Sequence, residues 1–530
     1  MRKLVLLAVA TAVFAAAQID SGSGERMRAH VKFLSSDLLE GRGVATRGEQ
    51  LTTEYIAAQF ALTGAKPAGD NGTYFQTVPL VGVATEPGSN LSAVVQGETI
   101  PLKWLDEFVG ANQRQTPEEA IDAELVYVGH GIAAPEFSWD DFKGVDVKGK
   151  ILLQFTNEPD SVDPRFFGGR ALTYYGRWTY KYEEARRRDA LGSIIIHTDG
   201  TAGYGWQVVR SSWGREQSFV RAQPGVHELA LAGWITSAAA EKILAGSGHT
   251  VDELLKLSNQ RDFRPMPLGV RMTGRMISKV RDENTRNVVA RIPGSDPRLA
   301  DEAVVFSAHW DHLGIGEAVD GDNIYNGAVD NATGVAMLIE MARAWASLPD
   351  KPRRTAIFAA VTAEEHGLCG SEYYAQHPSV PAGKTALALN FDAFSPFGRT
   401  RDAVLTGAER TTFWPAVQRI AKRFSLTLKP DPAPEQGSYY RSDHFSFAKA
   451  GIPAFSVHGG SDYVKGKPAP AQSTYHQPTD EYKDEWDFSG MEQMASFGLA
   501  LGVEAANAEK LPTWQRGDEF LAAREESMKK

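Results

Sequence analysis

Cysteine is almost absent from this chain. Cys369 is the single cysteine among 530 residues, so no intrachain disulfide can form. Stability therefore rests on burial, to which a bound metal ion can add. We interpret Cys369 itself as a small buried side chain, and neither as a nucleophile nor as a metal ligand.

An excess of positive charge is also missing. The formal net charge is −10, whereas a nucleic-acid-binding protein needs a basic face, so we expect no nucleic-acid partner. Apolar residues make up 42% and charged residues 23% of the chain, which is typical of a globular protein. A chain of 530 residues is too long for one core, so two or three domains are expected.

Long apolar runs are lacking beyond the N-terminus. Arg2 and Lys3 precede the apolar residues 4–14, and Ala15, Ala16 and Ala17 follow. This pattern predicts a cleaved signal peptide at residues 1–17, because the apolar run is too short for a membrane span. We therefore expect an exported protein, periplasmic or secreted, with no span in the mature chain.

The apolar patterns divide the remaining chain into three parts. Residues 18–120 read as helices followed by short strands, and residues 121–276 are rich in strands. Residues 277–530 alternate between strands and helices, which predicts an α/β fold with a mainly parallel or mixed sheet and helices on both faces. The predicted strands are 287–291, 303–308, 355–361, 386–391 and 452–457, and the clearest helices are 333–345 and 412–423.

Five short motifs in the C-terminal half each carry one side chain suited to metal. They are His309 in SAHWDH, Asp330 in GAVDNATG, Glu365 in TAEEHG, Asp392 in NFDA and His476 in YHQPTD. Two imidazoles and three carboxylates, with Glu364 as a spare carboxylate, are the set that a two-zinc hydrolase needs.

The placement of these residues supports a common site. His309, the Glu364–Glu365 pair and Asp392 each follow a predicted strand, and ligands of open α/β sheets bind beyond the carboxyl ends of strands. Asp330 precedes a predicted helix, where a carboxylate is favourable. His312 competes with His309 as a ligand, and we prefer His309 because it lies nearest the strand end.

Two further carboxylates are predicted to assist the chemistry. Asp311, two residues after His309, is a candidate for orienting the second ring nitrogen of that histidine. Glu364 and Glu365 are adjacent and repel each other, unless a dication offsets the repulsion. One of the pair can then bind metal while the other accepts a proton from water.

These motifs resemble the signature segments of the co-catalytic di-zinc aminopeptidase family, which includes bacterial leucyl aminopeptidase and aminopeptidase Y. Glutamate carboxypeptidase and glutaminyl cyclase are more distant relatives. The segment VYVGHGIAAPEFSWDDFKGVDVKGKILL resembles a protease-associated domain. The resemblance implies that this domain is inserted, at residues 121–276, into a zinc-peptidase domain formed by residues 18–120 and 277–530.

The resemblance also implies the role of each residue. Asp330 would bridge two Zn²⁺ ions and precede a cis peptide bond to Asn331. The other ligands would divide as His309 with Asp392 on one ion and Glu365 with His476 on the other. A hydroxide bridging the ions would attack the peptide, with Glu364 as general base. Ser442, Asp443 and His444 resemble a segment near the substrate pocket.

Three alternatives stay open from the sequence. A carboxypeptidase on the same scaffold needs a basic residue for a free carboxylate, and Arg399, Arg401 and Arg441 are candidates. A glutaminyl cyclase would work with one zinc. A non-catalytic binding ectodomain would show eroded ligands, whereas all are present here. The aminopeptidase, acting on a peptide substrate, is the preferred function.

Overall fold

A computed structural model describes residues 20, 22–466 and 474–529 of the chain. The predicted signal peptide, residues 1–17, lies outside the described residues. Within the described part, no helix combines the length and the apolar character that crossing a bilayer requires.

The helices and strands are numbered in chain order. The helices are α1 (Ser23–Leu34), α2 (Arg47–Leu62), α3 (Trp178–Arg187), α4 (Asp199–Ala202), α5 (Trp206–Trp213), α6 (Ser237–Leu244), α7 (Val251–Ser258), α8 (Thr333–Ala346), α9 (Cys369–Gln376), α10 (Trp414–Arg423), α11 (His444–Lys449), α12 (Ser489–Asn507) and α13 (Leu521–Ser527). The strands are β1 (Lys66–Pro67), β2 (Phe75–Thr85), β3 (Asn90–Val95), β4 (Glu98–Leu102), β5 (Phe108–Ala111), β6 (Glu118–Tyr127), β7 (Ala133–Ala134), β8 (Trp139–Asp140), β9 (Ile151–Phe155), β10 (Gly192–His197), β11 (Gln217–Val220), β12 (Leu231–Thr236), β13 (Met266–Ile292), β14 (Ala303–His309), β15 (Gly314–Val319), β16 (Asp322–Tyr325), β17 (Thr355–Val361), β18 (Thr385–Asn390), β19 (Asp402–Val404), β20 (Thr427–Lys429), β21 (Ala454–Ser456) and β22 (His458–Gly459).

The C-terminal half is built on a mixed sheet. Its strand order is β21-β18-β14-β17-β13, with parallel pairing except between β17 and β13, which are antiparallel. The five strands predicted here all exist, although β13 begins well before residue 287 and β21 is shorter than predicted. The α/β prediction is confirmed.

Both faces of this sheet are buried. Phe306 of β14 faces the side covered by α1, α2, α8 and α12, where its ring stacks on Phe358 with centroids 5.1 Å apart. Val305 faces the other side, which is covered by residues of α9 and α11. Because strand side chains alternate between faces, continuous apolar strands such as β14 and β17 suit burial on both sides.

The strand β13 joins this sheet to a second β-rich part. It is 27 residues long. Its C-terminal portion pairs with β2 and β17, and its N-terminal portion pairs with β3 and β6. The second part continues through parallel β6, β9, β10 and β12 to antiparallel β5 at the edge. Strands β3, β4 and β5 lie before residue 121 in sequence but belong to this part.

The first helix is shorter than its apolar pattern suggests. Apolar residues recur with helical spacing from Met27 to Leu39 in the sequence. The helix α1 nevertheless ends at Leu34, and a short 3₁₀ segment, Asp37–Arg42, follows. Two serines cause the break: the Ser35 hydroxyl bonds back to the Val31 carbonyl, and the Ser36 hydroxyl accepts from the Leu38 amide. Serine side chains compete with helical backbone bonds in this way.

Close packing of α12 against the sheet gives a testable prediction. A Cβ on Gly502 would lie 2.2 Å from Cζ of Phe306. Gly502→Ala should therefore lower the stability of the protein by ~1–3 kcal/mol through overpacking, measured by thermal unfolding. Gly24→Ala in α1 is the control, because the nearest heavy atom to its added Cβ lies 3.8 Å away. Equal effects of the two substitutions would contradict this packing account.

Candidate metal centre

The sheet topology brings the predicted ligands to one edge. Strand β14 ends at His309 and lies between β17 and β18. Glu364 and Glu365 follow the end of β17, and Asp392 follows the end of β18. Since these three strands are parallel, their carboxyl ends share one edge of the sheet.

Asp330 lies at the centre of the group. Its Oδ1 is 3.2 Å from Nε2 of His309, and its Oδ2 is 3.5 Å from Nε2 of His476. The residue sits in an irregular turn, Ala328–Ala332, just before α8, and its peptide bond to Asn331 is cis. The two carboxylate oxygens of Asp330 thus face two different histidines.

Each of these histidines also faces a second carboxylate. Nε2 of His309 is 3.1 Å from Oδ1 of Asp392, and Nε2 of His476 is 2.9 Å from Oε2 of Glu365. The five predicted ligands therefore come together as two histidine–carboxylate pairs on either side of Asp330. Glu364 joins the first pair: its ligand atom and those of His309 and Asp392 lie within 4.8 Å of one another.

His312, the competing histidine, lies on the other side of Glu365. Its Nδ1 is 2.7 Å from Oε1 of Glu365, and its Nε2 is buried with no hydrogen-bond partner. The donor atoms of His312, Asp330 and Glu365 also lie within 4.8 Å of one another. His309 alone of the two histidines contacts both Asp330 and Asp392.

Asp311 supports the site differently from the sequence-based expectation. Its carboxylate lies 3.8 Å from Nδ1 of His309, and that ring nitrogen bonds the backbone carbonyl of Asp311 at 3.1 Å instead. The carboxylate accepts the amide hydrogens of Glu364 and Glu365, at 3.2 and 3.4 Å. Asp311 therefore fixes the loop that carries Glu364 and Glu365, here called the glutamate loop, as well as the ring of His309.

The carboxylates of this centre carry more negative charge than its histidines can balance. Burial raises the pKa of Glu364 well above its usual range, and Asp392 and Glu365 raise it further. Burial opposes the charged form of His309, yet Asp392 and Glu364 raise its pKa well above the usual range. Such a buried set of carboxylate and imidazole donors fits divalent metal, which offsets this repulsion.

Three polar residues outside the predicted ligand set hold the ligands in place. Asp480 accepts the amide hydrogens of Val329 and Asp330 at 3.0 Å. The Ser442 hydroxyl donates to Oδ2 of Asp392 at 2.5 Å. Asn331 donates to the Phe391 carbonyl at 3.0 Å. Asp480 ends the YHQPTD motif, so its position four residues after His476 was the available signal.

The remaining candidates of the pocket lie around this centre. Tyr475 stacks on His476 with centroids 3.8 Å apart and is 56% exposed, so it is a surface residue of the site and not part of the core. Asp443 and His444 are buried at the start of α11. Burial raises the pKa of Asp443 to about 7.

The part of the chain that carries this centre is similar to known proteins. Residues 287–500 match the model of peptidase family M28. Leupeptin-inactivating enzyme 1 of Streptomyces exfoliatus is 28% identical over 185 residues, covering 34% of this chain and 37% of that protein. A probable zinc metalloprotease of Pyrenophora teres f. teres is 36% identical over 110 residues, covering 21% and 22%. Leucine aminopeptidase 2 of Arthroderma otae is 27% identical over 201 residues, covering 37% and 38%.

Among solved structures, an aminopeptidase from Aneurinibacillus sp. strain AM-1 matches with a TM-score of 0.50 and 20% identity, covering 94% of this chain and 96% of that one. This match extends the fold likeness to nearly the whole chain. The aligned segments span less than two fifths of the three curated relatives.

The support from Asp480 can be tested without metal. In Asp480→Asn, the amide NH₂ can point at the backbone N–H groups of Val329 and Asp330, which leaves buried donors unsatisfied. We expect a loss of stability of ~1–3 kcal/mol, measured by thermal unfolding in zinc-free buffer. Asp484→Asn in the same segment is the control, since that side chain is 84% exposed. An unchanged midpoint for Asp480→Asn would refute this support.

Proposed function

Since residues 287–500 match peptidase family M28, we propose that this chain is a zinc aminopeptidase that removes N-terminal residues from peptides. The observation that carries the proposal is Asp330 lying between two histidine–carboxylate pairs. The name of the Arthroderma relative, a leucine aminopeptidase, supports an aminopeptidase within this family.

In this proposal the centre would hold two Zn²⁺ ions. Asp330 would be shared by both ions, His309 and Asp392 would complete the protein ligands of one ion, and Glu365 and His476 would complete those of the other. Imidazole nitrogen and carboxylate oxygen are common zinc ligands. When bound, the ions supply Lewis acidity and lower the pKa of coordinated water.

The side chains of the protein then orient the substrate and move the proton. Glu364 binds no metal in this scheme and accepts the proton of the attacking water. The same carboxyl group returns a proton to the leaving amine as the peptide bond breaks. Asp311 holds the amides of Glu364 and Glu365, which fixes the position of the base relative to the ligands.

The other parts of the chain keep the roles proposed from the sequence. Residues 121–276 are proposed as a protease-associated insertion that caps or flanks the site, between the peptidase parts 18–120 and 277–530. Residues 1–17 are proposed as an export signal. The second β-rich part of the structure supports the proposal of an insertion. Its strands from residue 90 onward favour a start of this insertion before residue 121.

A carboxypeptidase is the second candidate function, and the position of Arg441 favours it. Arg401 is already engaged by Asp462 at 2.9 Å. Arg441 is exposed and directly precedes Ser442, whose hydroxyl contacts Asp392. A free carboxylate bound there would lie near the metal centre.

Removing the proposed base tests the mechanism. Glu364→Gln should retain zinc and fold, but lower kcat by ~10²–10⁴-fold because the carboxamide cannot accept the proton. Hydrolysis of aminoacyl-p-nitroanilides gives the rate, and metal analysis gives the zinc content. Glu372→Gln, a nearby glutamate of α9 that pairs with Lys449, is the control and should remain active. Wild-type activity in Glu364→Gln would exclude the mechanism.

Substrate choice tests the function itself. Chelation should abolish activity and added zinc should restore it. Peptides with a free N-terminal amine should be cleaved, whereas N-acetylated peptides should resist. The competing result is cleavage of N-acetylated peptides only when their C-terminal carboxylate is free, which would replace the aminopeptidase by a carboxypeptidase.

A further inference from the structure

Arg42 is a buried cation next to the candidate metal centre. It ends the short 3₁₀ segment Asp37–Arg42, far in sequence from residues 287–500, and it is 1% exposed. Its guanidinium donates to five backbone carbonyls. They belong to Leu34 (2.6 Å), Trp310 (2.8 Å), Asn326 (2.6 Å), Gly327 (2.8 Å) and Asp330 (3.4 Å).

Four of these five carbonyls belong to the loops that carry metal-ligand candidates. Trp310 directly follows His309. Asn326 and Gly327 lead into the turn 328–332, which contains Asp330 and so places the central carboxylate. One guanidinium therefore bonds the two loops to each other. The five N–H donors of its planar guanidinium can bond both loops at once, whereas the three donors of a lysine cannot reproduce these contacts.

Arg42 and Asp480 hold the Asp330 turn from complementary sides. Asp480 accepts the amides of Val329 and Asp330, whereas Arg42 donates to the carbonyls of Gly327 and Asp330. Together they bond amides and carbonyls of this irregular turn, in which the Gly327 carbonyl also accepts the Ala332 amide hydrogen at 3.2 Å. The turn is thus fixed by contacts from residues on each side of it in the sequence.

The charge of Arg42 is not neutralised by a direct ion pair within the described residues, where all its hydrogen-bond acceptors are carbonyls. Burial lowers the pKa of Arg42 to about 10, with Asp480 and Asp330 opposing the shift, so the group stays charged at neutral pH. Burying a charge without a partner carboxylate is costly. The bond to Leu34 lies within the N-terminal segment, whereas the other four bonds reach loops of the C-terminal half.

We propose that Arg42 is a positioning residue of the metal centre: it locks the Asp330 turn against the His309 loop and so sets the spacing of the ligands. The proposal rests on the proposed two-zinc function. It also makes the N-terminal region part of the catalytic unit, because residues 287–500 alone lack this contact.

The test compares Arg42→Met and Arg42→Lys with a matched control in the full chain. Arg354 serves as control, because it is buried like Arg42, at 2% exposure, and donates to the carbonyls of Ala506 and Ala508 as well as to Glu302. It lies at the start of β17, at the opposite end of that strand from Glu364. Arg354→Met should destabilise the protein without altering the centre.

Three measurements separate positioning from general stability. Hydrogen exchange should show faster exchange at amides 328–330 in both Arg42 variants, in zinc-free protein, and no change there in Arg354→Met. Zinc affinity, measured with Zn²⁺ alone, should fall ~10–100-fold, more in Arg42→Met than in Arg42→Lys. Activity should be lost mainly in kcat, with KM little changed.

The outcomes are distinct. If exchange at 328–330 and zinc affinity match wild type while only the melting temperature falls, as in Arg354→Met, Arg42 is a structural residue and the proposal is wrong. If Arg42→Met does not fold, Arg42→Lys decides by the same measurements. If wild-type protein binds no zinc, the proposed function fails, and hydrogen exchange alone still decides whether Arg42 positions the turn.

Discussion

Crowding of carboxylates at one sheet edge is the constraint on which the rest of this structure depends. Asp330, Glu364, Glu365 and Asp392 converge beside two histidines, and each of these side chains is buried or half-buried. Like charges placed so closely are unfavourable unless a cation offsets them. The parallel strands β14, β17 and β18 impose this convergence, since their carboxyl ends necessarily meet. Metal binding is the simplest reason for the chain to maintain such an arrangement.

The supporting contacts show how the fold maintains this convergence of carboxylates. Asp480 accepts amide hydrogens of the Asp330 turn, and Arg42 donates to carbonyls of the same turn. Asp311 accepts the amide hydrogens of the loop that carries Glu364 and Glu365. Each contact pairs a backbone group that regular secondary structure leaves free. These supports come from the N-terminal segment, the loop after β14 and the segment after His476. The site is consequently a property of the whole peptidase fold and not of one motif.

Local pattern was enough to predict the strands around the site and the residues at their ends. His309, Glu365 and Asp392 were recognisable because each follows an apolar strand, and strand edges gather ligands. Arg42 and Asp480 were not recognisable in this way. Arg42 bonds a carbonyl 288 positions away and Asp480 an amide 150 positions away, so no local pattern records either contact. The boundaries of the second β-rich part stay a prediction, because β13 runs as one continuous strand from that part into the sheet of the C-terminal half.

The central claim is that Asp330 bridges two metal ions. Diffraction data collected at the zinc absorption edge on crystals of the zinc-loaded protein test this most directly. The account predicts two anomalous peaks ~3.5–4 Å apart, the usual spacing of two-metal sites. One should lie within bonding distance of His309 and Asp392, the other of Glu365 and His476, with Asp330 contacting both. A single peak, or a peak ligated by His312 in place of His309, would contradict it.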